Sequence, residues 1–350
     1  MFETRCVKSE ALRSDVLLKV ILPDKNEVKN MMILLHGNIN PEKAAELWNM
    51  LPLELDLEEL CNRYQIAVAI PLMENRYYIS TKEYDCESLV AQELPDYMKR
   101  SYGISESVEV ILAGISMGGF GATLISARTG AFRKVISISG AYIANDIEMG
   151  NPEVWGSLTP YSQNIRKSFL HYFLPLSDLS QATERNALAA LRLFHERSEN
   201  PKFVVTCGTD EWFYSRNIEL IRKMEEAEMD YWFYPVEHGR HDADCFRKGL
   251  WKAMEYMSEN TIVRKRLVIF GKVQGCGFRR RIRDMADLVG VAGWVWNNQN
   301  GSVTVEMQGT EEQIKKTLKL VENNSDLIKI RKIDAADIPV ETGDSGFGIR

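Results

Sequence analysis

A chain of 350 residues is longer than one hydrophobic core usually organises, and 45% hydrophobic with 26% charged residues is ordinary folded composition, so about two domains are expected and wholesale disorder is excluded. The net charge of −6 excludes a general nucleic-acid binder, which needs many phosphate-neutralising cations; the charge is uneven, however, with 15 basic against 11 acidic residues from Arg264 onward. Six cysteines without a CxxC pair (Cys6, Cys61, Cys86, Cys207, Cys245, Cys276) exclude a disulfide framework, and neither a signal-type segment nor a run near the ~20 apolar residues of a membrane span is present, so a cytoplasmic enzyme is expected.

In chain order, the first apolar run bounded by turn residues covers 31–35, and its exit, MMILLHGNIN, carries His36, Gly37 and Asn38. Gly37 lets the loop turn, so the N–H of Asn38 can point into a site beyond the strand end. A second strand is expected at 66–70, then a helix at 86–100 and a strand at 108–113. There the segment VEVILAGISMGGFGATLISA sets Gly114-Ile115-Ser116-Met117-Gly118, a GxSxG pentapeptide, between a β-branched strand and a helix over 118–128. Such a turn strains the backbone of Ser116, needs the small footprint of glycine on either side, and presents the hydroxyl at the sheet's rim near the positive end of the helix. Met117 then supplies one backbone N–H for an oxyanion and Asn38 the other.

A serine hydroxyl is a poor nucleophile near neutral pH and needs a base, with the acid and the histidine normally following it in the chain. Strands are expected at 135–138 and 203–206, and the latter opens into CGTDEWFY with two adjacent carboxylates. Asp210 is the shorter and more usual acid, whereas Glu211 stands at Gly-x-x-acid spacing from Gly208; both stay open. A helix at 215–227 and a strand at 231–236 lead to PVEHGRHDADCF. Of the five histidines, His36 precedes the elbow and His171 and His195 precede the acid. His241 is favoured over His238 as the base because Gly239-Arg240 can swing its imidazole toward Ser116. The cluster His238, His241, Asp242, Asp244 lacks the helical HExxH spacing, so no metal is expected. The alternation of strands and helices predicts an α/β domain with a doubly wound, mostly parallel sheet and its functional loops beyond the strands' carboxyl ends.

With HGN, GISMGG, CGTDEWFY and GRH in this order, residues 1–260 resemble the esterase D family, especially the small bacterial tributyrin-type carboxylesterases. The resemblance implies an α/β-hydrolase fold, hydrolysis of short-chain acyl esters without a cofactor, and an acid position matching Glu211, where aspartate is usual. Tyr77, Tyr78, Trp155 and Trp212 are candidates to shape an acyl pocket, although packing is the default role of any one aromatic residue.

After an amphipathic stretch at 251–257, the polar and basic SENTIVRKR marks a boundary between domains 1–260 and 264–350. The second reads as strand 267–270, helix 279–288, strands 293–297 and 302–308, helix 311–322 and a last strand, the βαββαβ order of an α+β ferredoxin-like fold. Its FGKVQGCGFRRRIRDMA segment forms a glycine-rich loop between strand and helix. Backbone N–H groups of Val273, Gln274, Gly275, Cys276, Gly277 and Phe278 can make an anion nest there, and Arg279 at the helix start can bind two phosphate oxygens at once. Asn297 can orient a water, and catalysis by these groups rests on positioning and charge stabilisation. Arg280, Arg281 and Arg283 read as a solvated helix face.

The run GKVQGCGFR resembles the acylphosphatase signature GxVQGVGFR with Cys276 in place of valine, and the match extends to the terminal Gly346-Phe347-Gly348-Ile349-Arg350. It implies that Arg279 binds phosphate and Asn297 orients the attacking water. A bifunctional hydrolase is expected; the rival is an esterase whose tail is a non-catalytic docking module. The expected partners are small-molecule acyl esters and acyl phosphates, with no nucleic acid and no membrane, and the sequence leaves room for a homo-oligomer.

Overall fold

The apolar runs spaced between turn residues become a sheet of eight strands in a computed structural model that describes residues 2–24, 28–39, 44–143, 186–195, 200–259, 262–323, 328–341 and 346–350. By backbone proximity the chain divides into two units, Met1–Met254 and Glu255–Arg350. In the first, β1 (Phe2–Ser9), β2 (Ser14–Ile21), β3 (Asn30–Leu35), β4 (Ile66–Pro71), β5 (Glu109–Ile115), β6 (Lys134–Ile138), β7 (Lys202–Gly208) and β8 (Tyr231–Val236) lie in the order β1-β2-β4-β3-β5-β6-β7-β8. The contacts from β4 to β8 are all parallel, whereas β1 and β2 form an antiparallel hairpin at one edge.

That hairpin is the part the search for apolar runs passes over. Strand β1 is mostly exposed, and β2 is interrupted by Lys19. Lys19 is nonetheless buried, with Nζ 3.7 Å from the centroid of the Trp48 ring and 2.5 Å from Asn49 Oδ1. A desolvated ammonium is tolerable against an aromatic face and an amide oxygen, so a charged letter occupies a core position.

Helices α1 (Ala44–Glu54), α2 (Leu57–Tyr64), α3 (Leu94–Tyr102), α4 (Met117–Thr129), α5 (Tyr214–Glu226) and α6 (Ala243–Glu259) accompany the sheet. Buried residues run without a break from Met117 to Ala127 in α4, as expected of a helix that is hydrophobic all round. Its backbone lies so near the sheet that a Cβ on Gly118 would meet the Leu35 carbonyl oxygen at 2.0 Å.

The second unit runs β9 (Ile262–Lys272), α7 (Phe278–Val289), β10 (Ala292–Asn297), β11 (Val303–Thr310), α8 (Glu311–Asn323), β12 (Lys329–Ile338) and β13 (Phe347–Ile349), in the sheet order β12-β9-β11-β10-β13. Strands β9 and β10 both lie antiparallel to β11, which separates them, so this is the split βαβ arrangement of a ferredoxin-like α+β fold. Leu267, Ile269, Phe278, Ile282, Val295, Val305 and Ile314 are among its core residues. The single last strand expected from the sequence is two: β12 pairs antiparallel with β9, and the short β13 adds parallel to β10.

Candidate active sites

The elbow forms because strand and helix must meet there at contact distance. A Cβ on Gly114 would lie 2.0 Å from the Gly118 carbonyl oxygen, so neither position admits a side chain. Ser116 between them takes φ 55° and ψ −114°, outside the ordinary regions for a residue with a Cβ. The strained turn is stitched to the end of β6: the Ser116 N–H donates to the Ile138 carbonyl at 2.9 Å, and the Ala141 N–H donates to the Ser116 carbonyl at 3.0 Å.

Loops after β7 and β8 bring two further side chains to this serine. His241 Nε2 is 3.0 Å from Ser116 Oγ, and His241 Nδ1 is 2.8 Å from Glu211 Oε2. The Glu211 side chain is 0% exposed and that of His241 25% exposed, so the carboxylate meets the imidazole out of water while the ring's far edge stays reachable. Phe213 and Phe246 hold the ring edge-on from two directions, both with centroids 4.9 Å away. Asp210 does not reach this imidazole. Its half-exposed carboxyl faces the exposed His238 at 3.5 Å, because the Asp210 N–H donates to the Gly239 carbonyl and the next residue is the one turned inward. Asp242 caps the turn before α6 by accepting the Cys245 N–H, and Asp244 pairs with Arg247 and Lys248. Among the described residues no group of three or more His, Cys, Asp and Glu is close enough to hold a metal ion.

The loop after β3 abuts Ser116: a Cβ on Gly37 would stand 3.2 Å from Ser116 Cβ. Five polar contacts fix this loop, and none of them is visible as a motif. The Met73 N–H donates to His36 Nε2 at 3.0 Å, His36 Nδ1 lies 2.6 Å from the Gly37 carbonyl, and the Tyr78 hydroxyl donates to the His36 carbonyl at 3.0 Å. Asn75 brackets Ile39 by accepting its N–H and donating to its carbonyl. Burial drives the His36 pKa down to about 4, so the ring is neutral, with Nδ1 donating and Nε2 accepting. His36 is therefore a loop anchor and more than a strand exit. Tyr77 and Tyr78 are buried in the core, whereas Trp212 is half-exposed and stacks on Phe213 at 3.8 Å. Trp155 and His171 lie outside the described residues, as does the side chain of His195.

In the second unit, Val273, Gln274, Gly275, Gly277, Phe278, Arg279 and Asn297 line one hollow, which Arg280 and Ile349 complete. Gly275 and Gly277 have φ 71° and 79°, the left-handed conformation that turns successive N–H groups to one side. Gln274 ties the loop to the β10–β11 turn by donating to the Asn298 and Ser302 carbonyls, each at 2.8 Å. Cys276 points elsewhere: its sulfur faces the Lys272 carbonyl at 3.5 Å and packs against the domain core. Ile349 was missed as a lining residue because its strand, β13, is three residues long.

A sheet carrying a strand–serine–helix elbow, joined in one chain to a split βαβ unit with a glycine-rich loop, defines a two-domain hydrolase. The chain belongs to the esterase family whose model, described as "Putative esterase", matches residues 9–257, and it carries an acylphosphatase domain matched over residues 265–349. It is 28% identical over 209 residues to an acetyl esterase of Caldicellulosiruptor saccharolyticus, covering 57% of this chain and 75% of that one. It is 36% identical over 80 residues to an acylphosphatase of Pseudomonas paraeruginosa, covering 23% of this chain and 87% of that one. In fold, the first unit is similar to fluorophosphonate-binding serine hydrolase F of Staphylococcus aureus, with TM-score 0.60 and 21% identity over 73% of this chain and 98% of that one.

Proposed function

We propose that the first domain is a serine carboxylesterase acting on short-chain acyl esters through an acyl-enzyme on Ser116, as in the esterase D family. The contact sequence Ser116 Oγ, His241, Glu211, at 3.0 and 2.8 Å, carries the reading. His241 Nε2 takes the hydroxyl proton as Oγ attacks the ester carbonyl, and it returns that proton to the leaving alcohol; Glu211 accepts the Nδ1–H, fixes the tautomer and stabilises the imidazolium. The N–H groups of Met117 and Asn38 receive the oxyanion. Water then repeats the cycle on the acyl-enzyme. In the second domain the loop from Val273 to Phe278 and Arg279 hold the phosphate of an acyl phosphate, and Asn297 orients the water that attacks phosphorus. The six free thiols support a reducing compartment, hence the cytoplasm; among the described residues no helix is long and apolar enough to cross a membrane.

Two variants of the full chain test the reading. Ser116→Ala should abolish p-nitrophenyl acetate hydrolysis and fluorophosphonate labelling while sparing phosphate release from benzoyl phosphate, and Arg279→Ala should do the reverse. Esterase activity surviving Ser116→Ala would overturn the first assignment. A wild-type chain that never turns over benzoyl phosphate would make the tail a docking module.

A further inference from the structure

The carboxylate of Glu211 has two oxygens, and only one of them meets the imidazole. The other, Oε1, lies 2.5 Å from Cys207 Sγ, at the end of β7. Cys207 and the Glu211 side chain are both fully buried. A buried carboxylate oxygen without a donor is costly, and a glutamate carries one more rotatable bond than the usual aspartate, so its head needs a second point of attachment to hold one orientation. Cys207 offers that point from a rigid place, since β7 lies hydrogen-bonded between β6 and β8. We propose that Cys207 is a positioning residue of the esterase, whose S–H clamps Oε1 of Glu211 so that Oε2 stays aimed at His241.

The thiol is suited to this as a permanent donor. Burial first, and then the neighbouring carboxylate, push its pKa far above the ordinary thiol range, with Cys245 adding in the same direction and Ser139 working the other way. The titratable groups around the Glu211 head are therefore His241 from the loop after β8, Cys207 from β7 and Cys245 from α6, the last with its own thiol pushed up to about 12 by burial, then by Glu211 and Asp242. Both sulfurs therefore keep their protons near neutral pH. Donation by the thiol draws negative charge toward Oε1, so removing it leaves more of that charge on Oε2, facing the imidazolium. The effect belongs in kcat and in the acidic limb of the pH profile, because Cys207 is fully buried and meets Oε1, whereas the imidazole meets Oε2.

This inference rests on reading Ser116, His241 and Glu211 as the esterase machinery, and full-length Cys207→Ser, Cys207→Ala and Cys207→Val test it with p-nitrophenyl acetate. Serine keeps a donor and should stay within about threefold of wild-type kcat, whereas alanine and valine should lose about 10- to 100-fold with KM within about twofold, as expected for a lost hydrogen bond to a charged group. Their acidic limb of kcat/KM should move up by about half a unit or more while that of serine stays in place. Valine fills the volume without donating, so it separates the hydrogen bond from packing even where alanine folds poorly. Wild-type kcat and limb in Cys207→Val, or equal loss in Cys207→Ser and Cys207→Val, would overturn the proposal. Activity surviving in Ser116→Ala and Glu211→Gln would instead bring down the underlying reading, whatever the Cys207 variants do.

Discussion

Replacing Glu211 by glutamine keeps the shape of the side chain and removes its charge. In the proposed mechanism the imidazole becomes a cation during proton transfer, with its Nδ1 2.8 Å from Oε2 on a side chain that is 0% exposed. With charge centres about 4 Å apart and an effective dielectric near 20, the lost attraction is about 4 kcal/mol, or about 1,000-fold in kcat. An amide that turned its NH2 toward Nδ1 would add to the loss by favouring the wrong tautomer. Asp210→Asn is the matched control one residue away, and its half-exposed carboxyl meets the exposed ring of His238 and the Thr209 hydroxyl, so kcat should change by less than about twofold. Steady-state hydrolysis of p-nitrophenyl acetate, with thermal unfolding to check the fold, reads both variants. A Glu211→Gln enzyme within tenfold of wild type, or an Asp210→Asn enzyme as damaged as Glu211→Gln, would refute the assignment of the acid.

The depressed pKa of His36 makes stability depend on pH. Between the unfolded value of 6.5 and the folded value of about 4 the unfolded chain takes up a proton that the folded one refuses, so stability is full above pH 6.5 and falls by about 3 kcal/mol as pH drops toward 4. Urea unfolding at several pH values should show this fall in wild type and a flatter profile in His36→Gln; parallel profiles would contradict it. Gly118→Ala forces a Cβ to within 2.0 Å of a backbone oxygen and should cost more than about 3 kcal/mol or abolish folding, whereas Gly275→Ala meets nothing within 4 Å and should cost only the 1–2 kcal/mol or so of a left-handed φ. Equal unfolding midpoints for the two would count against the close-approach account of the elbow. Arg279→Lys keeps the charge but not the planar fork, and kcat/KM for benzoyl phosphate should fall about 100-fold with esterase activity unchanged.

What the sequence made legible is what a few neighbouring residues determine. GxSxG announces itself because strand and helix cannot close on Ser116 unless Gly114 and Gly118 lack side chains. The loops carrying His36, Glu211 and His241 were found because each follows an apolar run, and a parallel sheet delivers such exits to one edge. Which of two adjacent carboxylates turns inward was not legible, since Asp210 and Glu211 differ only in how the backbone from Gly208 is tied to Gly239, about 30 positions further along. Strand β2 was hidden for a similar reason: a lysine reads as a break until Trp48 and Asn49 are seen to receive it.

Most of the residues that steady the candidate site share this remoteness. Tyr78 holds the His36 carbonyl from 42 residues away, and Met73 addresses the same ring from 37. Phe213 and Phe246 close on the imidazole from opposite sides in sequence. None has a side chain that announces chemistry, because each acts by restricting another group's orientation, and orientation is a property of contacts rather than of residue type. The serine proposed as nucleophile can thus be located from five letters. Its rate depends on how tightly a carboxylate, a ring and a loop are held, and those restraints become visible only when segments far apart in the chain are brought together.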